Sequence, residues 1–245
     1  PNLINNTSKN KIPLYLIQAK ISEKSFLRWK KYASNLHKDL LKKFNFIIAQ
    51  SHLDKKNFLY HVGIPVEGVN NLKYCAPKLK VDLTQEKKLR VLLKNRFVIT
   101  AISTHKGEEK LLISNLQNLI LKRKDLLLIL QPRHPDRANK IIKDIKNINL
   151  NIKQKSLNEL PDNKTNIYLF DTFGESGLAI SISNIVILGG TLAPIGGHNL
   201  IEPAKFGKCI ITGPYHSKII EIVENFKISN AIIILEKINN IENKI

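Results

Sequence analysis

The sequence predicts a doubly wound α/β protein, a parallel sheet covered by helices on both faces, preceded by part of a second unit of the same kind. Three observations carry this. Short runs that are apolar almost throughout (Phe97–Ala101, Leu126–Leu130, Ile167–Phe170, Ile185–Leu188 and Cys209–Thr212) read as strands buried on both faces. Amphipathic or helix-forming stretches fall between them. Polar clusters bearing glycine or proline directly follow three of the strands, where ligands bind in open α/β sheets.

Taken in order, Ile12–Ile17 is a short strand and Lys24–Lys43 a long helix. Phe26, Leu27, Trp29, Leu36, Leu40 and Leu41 give that helix only an approximate apolar face. Phe46–Ala49 is the next strand, Leu53–His61 a helix, Gly63-Ile64-Pro65 a turn and Val66–Val69 a strand. Pro77–Leu93 is polar and lysine-rich and reads as a partly helical connection. We therefore expect the end of a first domain at residues 1–78, a linker at 79–94 and a second domain at 95–245. In the second domain, helices are expected over Lys106–Leu121, Arg137–Ile145, Ser176–Ile182 and Asn199–Phe206.

The chain has 245 residues, no Met and a net charge of +19. An opening at Pro1 without Met leads us to expect a piece of a longer chain. The charge is uneven, with 19 Lys/Arg against 6 Asp/Glu up to Asn95 and 20 against 14 from Arg96 onward. A basic first half suits an anionic partner: nucleic acid, a membrane surface or a phosphorylated substrate. The abundance of Lys, Ile and Asn also fits a compositional bias without function. Aromatics are not interleaved with the lysines as base stacking requires, which argues against a nucleic-acid module. Cys75 and Cys209 are far apart and read as two reduced thiols, and no metal-ligand spacing is present. No apolar run approaches the roughly 20 residues that span a bilayer.

Three clusters carry chemistry. Ser103–Glu109 leaves a strand and enters a helix; the acids suit its positive first turn, so helix capping is the favoured reading of Glu108 and Glu109 over ligand binding. Gln131-Pro132-Arg133-His134-Pro135 fixes an arginine at a strand end, where a guanidinium can grip a phosphate with two bonds. Gly189–Ala204 holds four glycines, including Gly196 and Gly197, and then His198-Asn199-Leu200-Ile201-Glu202. Glycines let a ligand approach the backbone, and a helix start offers free N–H groups to phosphate. With His198, Asn199 and Glu202 in the first helical turn, their spacing puts them on one face. That suits amides for a phosphate and a carboxylate for ribose hydroxyls, although a polar cap would use the same residues. The loop matches neither G-x-G-x-x-G nor G-K-[ST], which argues against dinucleotide enzymes and P-loop NTPases.

Together with Asp171–Gly177, these clusters resemble, in order and spacing, the C-terminal domain of the Kdo (3-deoxy-D-manno-octulosonic acid) transferases of lipopolysaccharide assembly. Earlier segments agree: Pro1-Asn2-Leu3-Ile4, Ser22-Glu23-x-Ser25, Ala49-Gln50-Ser51 and Asn71-Leu72-Lys73 each resemble a family motif. The resemblance runs to about Leu235. It implies a GT-B glycosyltransferase with two Rossmann-like domains, the first only partly present. It also implies CMP-Kdo as donor substrate with no cofactor, a lipid A precursor as acceptor, and inversion at the anomeric carbon. CMP would be held by Pro132 and Arg133, by Gly174, Glu175 and Ser176, and by Asn199, Leu200, Ile201 and Glu202. Lys73 matches a lysine that stabilises the transition state. Ser22, Glu23, His105, Gly196, Gly197 and His198 are further candidates. The family's general base and membrane anchor have no counterpart here, so the piece is expected to be inactive alone, or a decayed gene product. The expected setting is the cytoplasmic face of the bacterial inner membrane.

This sequence departs from the family pattern at three places. Gln18-Ala19-Lys20 stands for Asn-Ala-Arg, exchanging a guanidinium for an ammonium that cannot bond bidentately. Phe173 replaces Met, and Ser176 replaces Leu. A UDP-sugar epimerase or a UDP-GlcNAc transferase of the same fold is the alternative reading.

Overall fold

The computed structural model describes residues 1–145 and 148–245, and the side chains of all of these except Tyr60 and His61. It divides into two compact units, Pro1–Pro77 and Lys78–Ile245.

The first unit runs α1 (Asn2–Lys9), β1 (Tyr15–Ala19), α2 (Glu23–Leu41), β2 (Phe46–Ala49), α3 (His52–Asn57) and β3 (Gly68–Val69). A π-helical turn, Phe58–Val62, extends α3. The strands form a parallel sheet in the order β1-β2-β3. Ser22 caps α2 by accepting a bond from the Ser25 amide, and Ser51 caps α3 through the Asp54 amide. Non-helical dihedrals at Ala33 break α2 into two segments, which is why its apolar face reads only approximately. Phe26, Leu41, Ile47, Ala49, Phe58 and Val62 form the core. The first strand begins at Tyr15, three residues later than the apolar run predicts. Pro13 has no N–H to give a ladder, and pairing starts at Tyr15 opposite Phe46. The helix α1 was not expected.

The second unit runs α4 (Leu83–Leu92), β4 (Phe97–Thr104), α5 (Glu108–Lys122), β5 (Leu126–Pro132), α6 (Ala138–Ile145), β6 (Ile152–Gln154), β7 (Ile167–Leu169), α7 (Ser176–Ser181), β8 (Ile185–Leu188), α8 (Ile201–Lys205), β9 (Cys209–Thr212), α9 (Ile220–Ile228) and β10 (Ile233–Ile234). Among the described residues its seven strands are all parallel, in the order β10-β9-β8-β4-β5-β7-β6. Alternate residues of β4 enter different cores. Ile99 and Ala101 pack with α5 and α6, whereas Val98 joins Leu89, Leu178 and Ala179 on the other face. Each such Ile or Leu, once removed from water, contributes about 1.5–3 kcal/mol before entropy is counted. This two-sided burial is what the apolar strand runs imply.

The stretch expected to be a linker does more than connect. Asp82 caps α4 through the Thr84 and Gln85 amides, and Leu89 and Leu93 are buried against Val98 and Tyr168. At the amino ends of the strands, the Arg96 guanidinium donates to the carbonyls of Asp125, Leu126, Asp162 and Thr165, binding three segments together.

The order of strands locates the site. From β4 the chain passes to β5, goes out to the edge strand β6, comes back to β7 between them, and then crosses to lay β8 on the other side of β4. The reversal opens a crevice at the carboxyl ends of β4 and β8.

Candidate functional site

Two loops flank that crevice, one after β4 and one after β8, and a single carboxylate joins them. Glu108 is fully buried, with 0% exposure. Its Oε2 accepts from the His105 and Gly190 amides, each at 2.8 Å, and its Oε1 from the Leu192 and Ala193 amides at 2.9 and 3.1 Å. Beside it, Glu109 accepts two bonds from Arg137 at 2.9 and 3.0 Å and one from the Thr104 hydroxyl at 2.7 Å. Capping is thus too small a role for these acids: Glu108 organises the glycine loop 82 residues away. The contact is so close that a Cβ on Gly189 would lie 2.4 Å from the Ser103 carbonyl oxygen.

A second link between the loops is made by imidazoles. The Nε2 atoms of His105 and His198 are 2.7 Å apart, and their rings lie nearly parallel. His134 meets His105 edge-on at 6.5 Å between centroids. Burial lowers the pKa of His105 below its ordinary value; Arg137 and His134 act in the same direction, and Glu108 and Glu109 oppose it. A neutral His105 lets one ring donate and the other accept in the Nε2–Nε2 bond.

Next to His134 lies a pocket of about 360 Å³ lined by Pro132, Arg133, Gly174 and Ser176, with Ser103, Gln131, His134, Pro135, Thr172 and Phe173 among its other walls. The Arg133 amide donates to the Thr104 carbonyl at 2.9 Å, holding the Gln131–Pro135 turn against the end of β4. The Arg133 guanidinium is exposed and has no hydrogen-bonding or ionic partner among the described residues. Gly174 adopts φ +77°, a conformation that favours glycine, and brings its backbone to the pocket wall. Glu175 points elsewhere, into an ion pair with Lys155 at 2.8 Å and a bond from the Thr172 hydroxyl. Asp171 accepts from the Ser156 amide and hydroxyl and from Gln154, which places the turn carrying Lys155. The structure therefore gathers Pro132, Arg133, Gly174 and Ser176 in one pocket, with Glu175 just behind.

The third predicted segment needs a correction. The helix α8 begins at Ile201, so His198 and Asn199 precede it and do not share a helical face with Glu202. Gly196 and Gly197, at φ +105° and +87°, turn the chain so sharply that His198 points back to His105. Asn199 instead acts as a bracket. Its Oδ1 accepts from the Ile201 amide at 3.2 Å, and its Nδ2 donates to Glu202 Oε1 at 3.1 Å. Leu200 and Ile201 are buried in the core beneath.

In the first unit, Lys73 follows β3 and Gln18 lies within β1. Asn71 Oδ1 accepts from both the Lys73 amide, at 3.1 Å, and Gln18 Nε2, at 3.3 Å. Ser22 is spent on capping α2, and Glu23 is an exposed residue of its first turn. Among the described residues no group of three or more His, Cys, Asp or Glu could hold a metal ion, and no helix is long and apolar enough to cross a membrane.

The fold is that of the nucleotide-sugar glycosyltransferases of the two-domain type. A solved structure of the UDP-GlcNAc 2-epimerase from Neisseria meningitidis covers 98% of this chain, and the chain 62% of it, at TM-score 0.57 and 15% identity, a likeness of fold alone. The likeness to the crystal structure of the C-terminal CMP-Kdo binding domain of WaaA from Acinetobacter baumannii is nearer, at TM-score 0.64 and 30% identity over 66% of this chain and 86% of that one. The 3-deoxy-D-manno-octulosonic-acid transferase (kdotransferase) family model matches residues 1–76. The 3-deoxy-D-manno-octulosonic acid transferase of Rickettsia felis is 39% identical over 89% of this chain and 47% of its own length. The chain belongs to the 3-deoxy-D-manno-octulosonic acid transferase family. It spans about half the length of the curated relatives it matches.

Proposed function

We propose that this chain carries the donor-binding part of a transferase that moves Kdo from CMP-Kdo to a lipid A precursor, with inversion. The observation that supports it best is the pocket at the carboxyl ends of β4 and β5, which Gly174 and Ser176 line together with Arg133, whose guanidinium has no partner among the described residues. In this reading Arg133 grips the CMP phosphate, and the backbone of Gly174–Ser176 lines the nucleotide. Glu202, held by Asn199, accepts the ribose hydroxyls. His105, His198, Gly196 and Gly197 shape the crevice floor. Lys73 is the cation assigned to the developing negative charge. No residue of the chain is assigned as general base. CMP-Kdo is a substrate, and the reaction as proposed uses no cofactor. The basic first half, up to Asn95, suits peripheral binding at the cytoplasmic face of the bacterial inner membrane, where the acceptor lipid would present its phosphates.

Calorimetry with CMP, CMP-Kdo, UMP and UDP tests the reading. CMP and CMP-Kdo should bind more tightly than UMP or UDP, and Arg133→Ala should remove most of the affinity. Tighter binding of UDP than of CMP would overturn it in favour of a UDP-sugar enzyme.

A further inference from the structure

A second pocket reaches the opposite, amino-terminal end of the strands of the large sheet. Lys208 directly precedes β9 and Ser183 precedes β8, whereas the donor pocket lies at the carboxyl ends of strands. The cavity measures about 560 Å³, within the roughly 300–1,000 Å³ common for small-molecule sites. It is bounded by the segment Lys78–Leu83, by Glu86 and Arg90 of α4, by Ser181, and by Phe206 and Lys208. All of these residues belong to the second unit.

Its chemistry is unusual for a surface that binds nothing. Arg90 Nη2 and Lys208 Nζ both donate to one oxygen, the Ser181 carbonyl, each at 2.8 Å. Lys208 Nζ also donates to the Ser183 carbonyl at 2.6 Å. Two cations thus converge on neutral acceptors. Lys78 adds a third, its ammonium 4.1 Å from the centre of the Phe206 ring, and Lys80 a fourth. Among the described residues the carboxylate of Glu86 is the single acid lining the cavity, and Arg90 already occupies it at 2.8 Å. Burial, followed by the Arg90 and Lys78 charges, lowers the pKa of Lys208, with Glu86 opposing. Between the cations lie Leu79, Val81, Leu83 and Phe206, and Leu83 is 66% exposed. Uncompensated positive charge beside an accessible apolar wall is complementary to an anion that carries an apolar group.

We propose that this pocket is a second ligand site, binding a phosphate ester whose head meets Lys78, Lys80, Arg90 and Lys208 and whose apolar part lies along Leu79, Val81, Leu83 and Phe206. The inference does not depend on CMP-Kdo being the donor. Nothing in it assigns catalysis to these residues.

Titration calorimetry of the whole chain with hexyl phosphate is the test. Saturable binding is expected, tighter than for inorganic phosphate and absent for hexanol. The double variant Lys78→Glu, Lys80→Glu should weaken it at least about tenfold, the usual effect of losing charge-assisted bonds. Leu83→Asp should weaken hexyl phosphate more than inorganic phosphate. Arg133→Ala, in the donor pocket, should leave it unchanged. So should the charge-matched pair Lys140→Glu, Lys143→Glu on the exposed side of α6. Absence of saturation overturns the proposal. So does an equal loss in the charge-matched pair, or a loss confined to Arg133→Ala. A competition arm identifies the source. If phosphatidylglycerol vesicles displace hexyl phosphate, the natural occupant is a lipid headgroup; if they do not, it is a soluble ester. All variants are read beside their melting temperatures, so an unfolded protein is not mistaken for an empty site.

Discussion

Glu108 Oε2 lies 2.8 Å from the amide nitrogen of Gly190, so the first turn of α5 directly fixes the loop that follows β8. Four backbone N–H groups converge on this one buried carboxylate, and each such charge-assisted bond is worth more than a neutral one. Glu108→Gln keeps the shape but turns an NH2 group toward backbone donors. We predict a loss of about 3 kcal/mol or more in denaturant unfolding, since both the bonds and the burial are compromised. CMP affinity should fall as well, because the loop that Glu108 holds would lose its anchor. A change under about 1 kcal/mol, the size of an ordinary substitution, would show that the loop is held by other contacts.

The burial of His105 gives a pH dependence whose direction is fixed. The folded state lowers the pKa of His105 from its ordinary 6.5, chiefly by burial. The unfolded chain therefore binds more protons between the folded and unfolded values, and stability rises with pH across that window. The contribution is complete above 6.5 and is lost progressively as pH falls from there toward the folded value. His37 is lowered by burial too and adds in the same direction. Melting temperature should drop from pH 7 to pH 5, and His105→Gln should flatten part of the slope. An identical slope in the variant would assign the effect to other groups.

Arg133 differs from the acids in having nothing to hold. Its guanidinium is exposed and without a partner among the described residues, so Arg133→Ala should leave the melting temperature within the small range of surface changes. If it grips the CMP phosphate, affinity should fall roughly 10- to 150-fold, matching about 1.5–3 kcal/mol. Arg133→Lys should recover only part, because an ammonium cannot bond bidentately. Full recovery by lysine would mean that charge alone is read.

Much of this architecture was legible because buried parallel strands leave a plain mark. Leu126–Leu130 and Ile185–Leu188 are apolar at every position since helices cover both sheet faces. The edge strands left no such mark. Ile152–Gln154 has one apolar residue, and Ile233–Ile234 spans two positions; ladder partners, not composition, define them. The helix α9 was also missed, although Ile222 and Val223 are buried in the core. At the site, the words of the motifs were readable but their wiring was not. Nothing in the spacing shows that Glu108 reaches Gly190, or that Lys155 pairs with Glu175, because both contacts close through the sheet. The helical face assigned to His198 was misread because Gly196 and Gly197 delay the helix to Ile201.

Glu202 has one oxygen occupied by Asn199 Nδ2 at 3.1 Å, and Asn199 in turn receives the Ile201 amide at 3.2 Å. Two roles follow, and one variant separates them. If Glu202 serves only to fix Asn199 at the start of α8, Glu202→Ala should lower the melting temperature. A lost cap typically costs about 0.5–2 kcal/mol, and CMP affinity in the folded fraction would hardly change. If its second oxygen meets ribose hydroxyls, affinity should fall roughly 10- to 150-fold while stability changes little. Asn199→Ala then distinguishes positioning from contact. It removes the bracket but leaves the carboxylate, so it should weaken CMP less than Glu202→Ala does. We expect the ribose role, because a bracket needs only one of the two oxygens. Melting temperature and CMP affinity measured on the same two variants decide it. Unchanged affinity in Glu202→Ala would remove this residue from the nucleotide site and leave Arg133 and the Gly174–Ser176 backbone as its remaining walls.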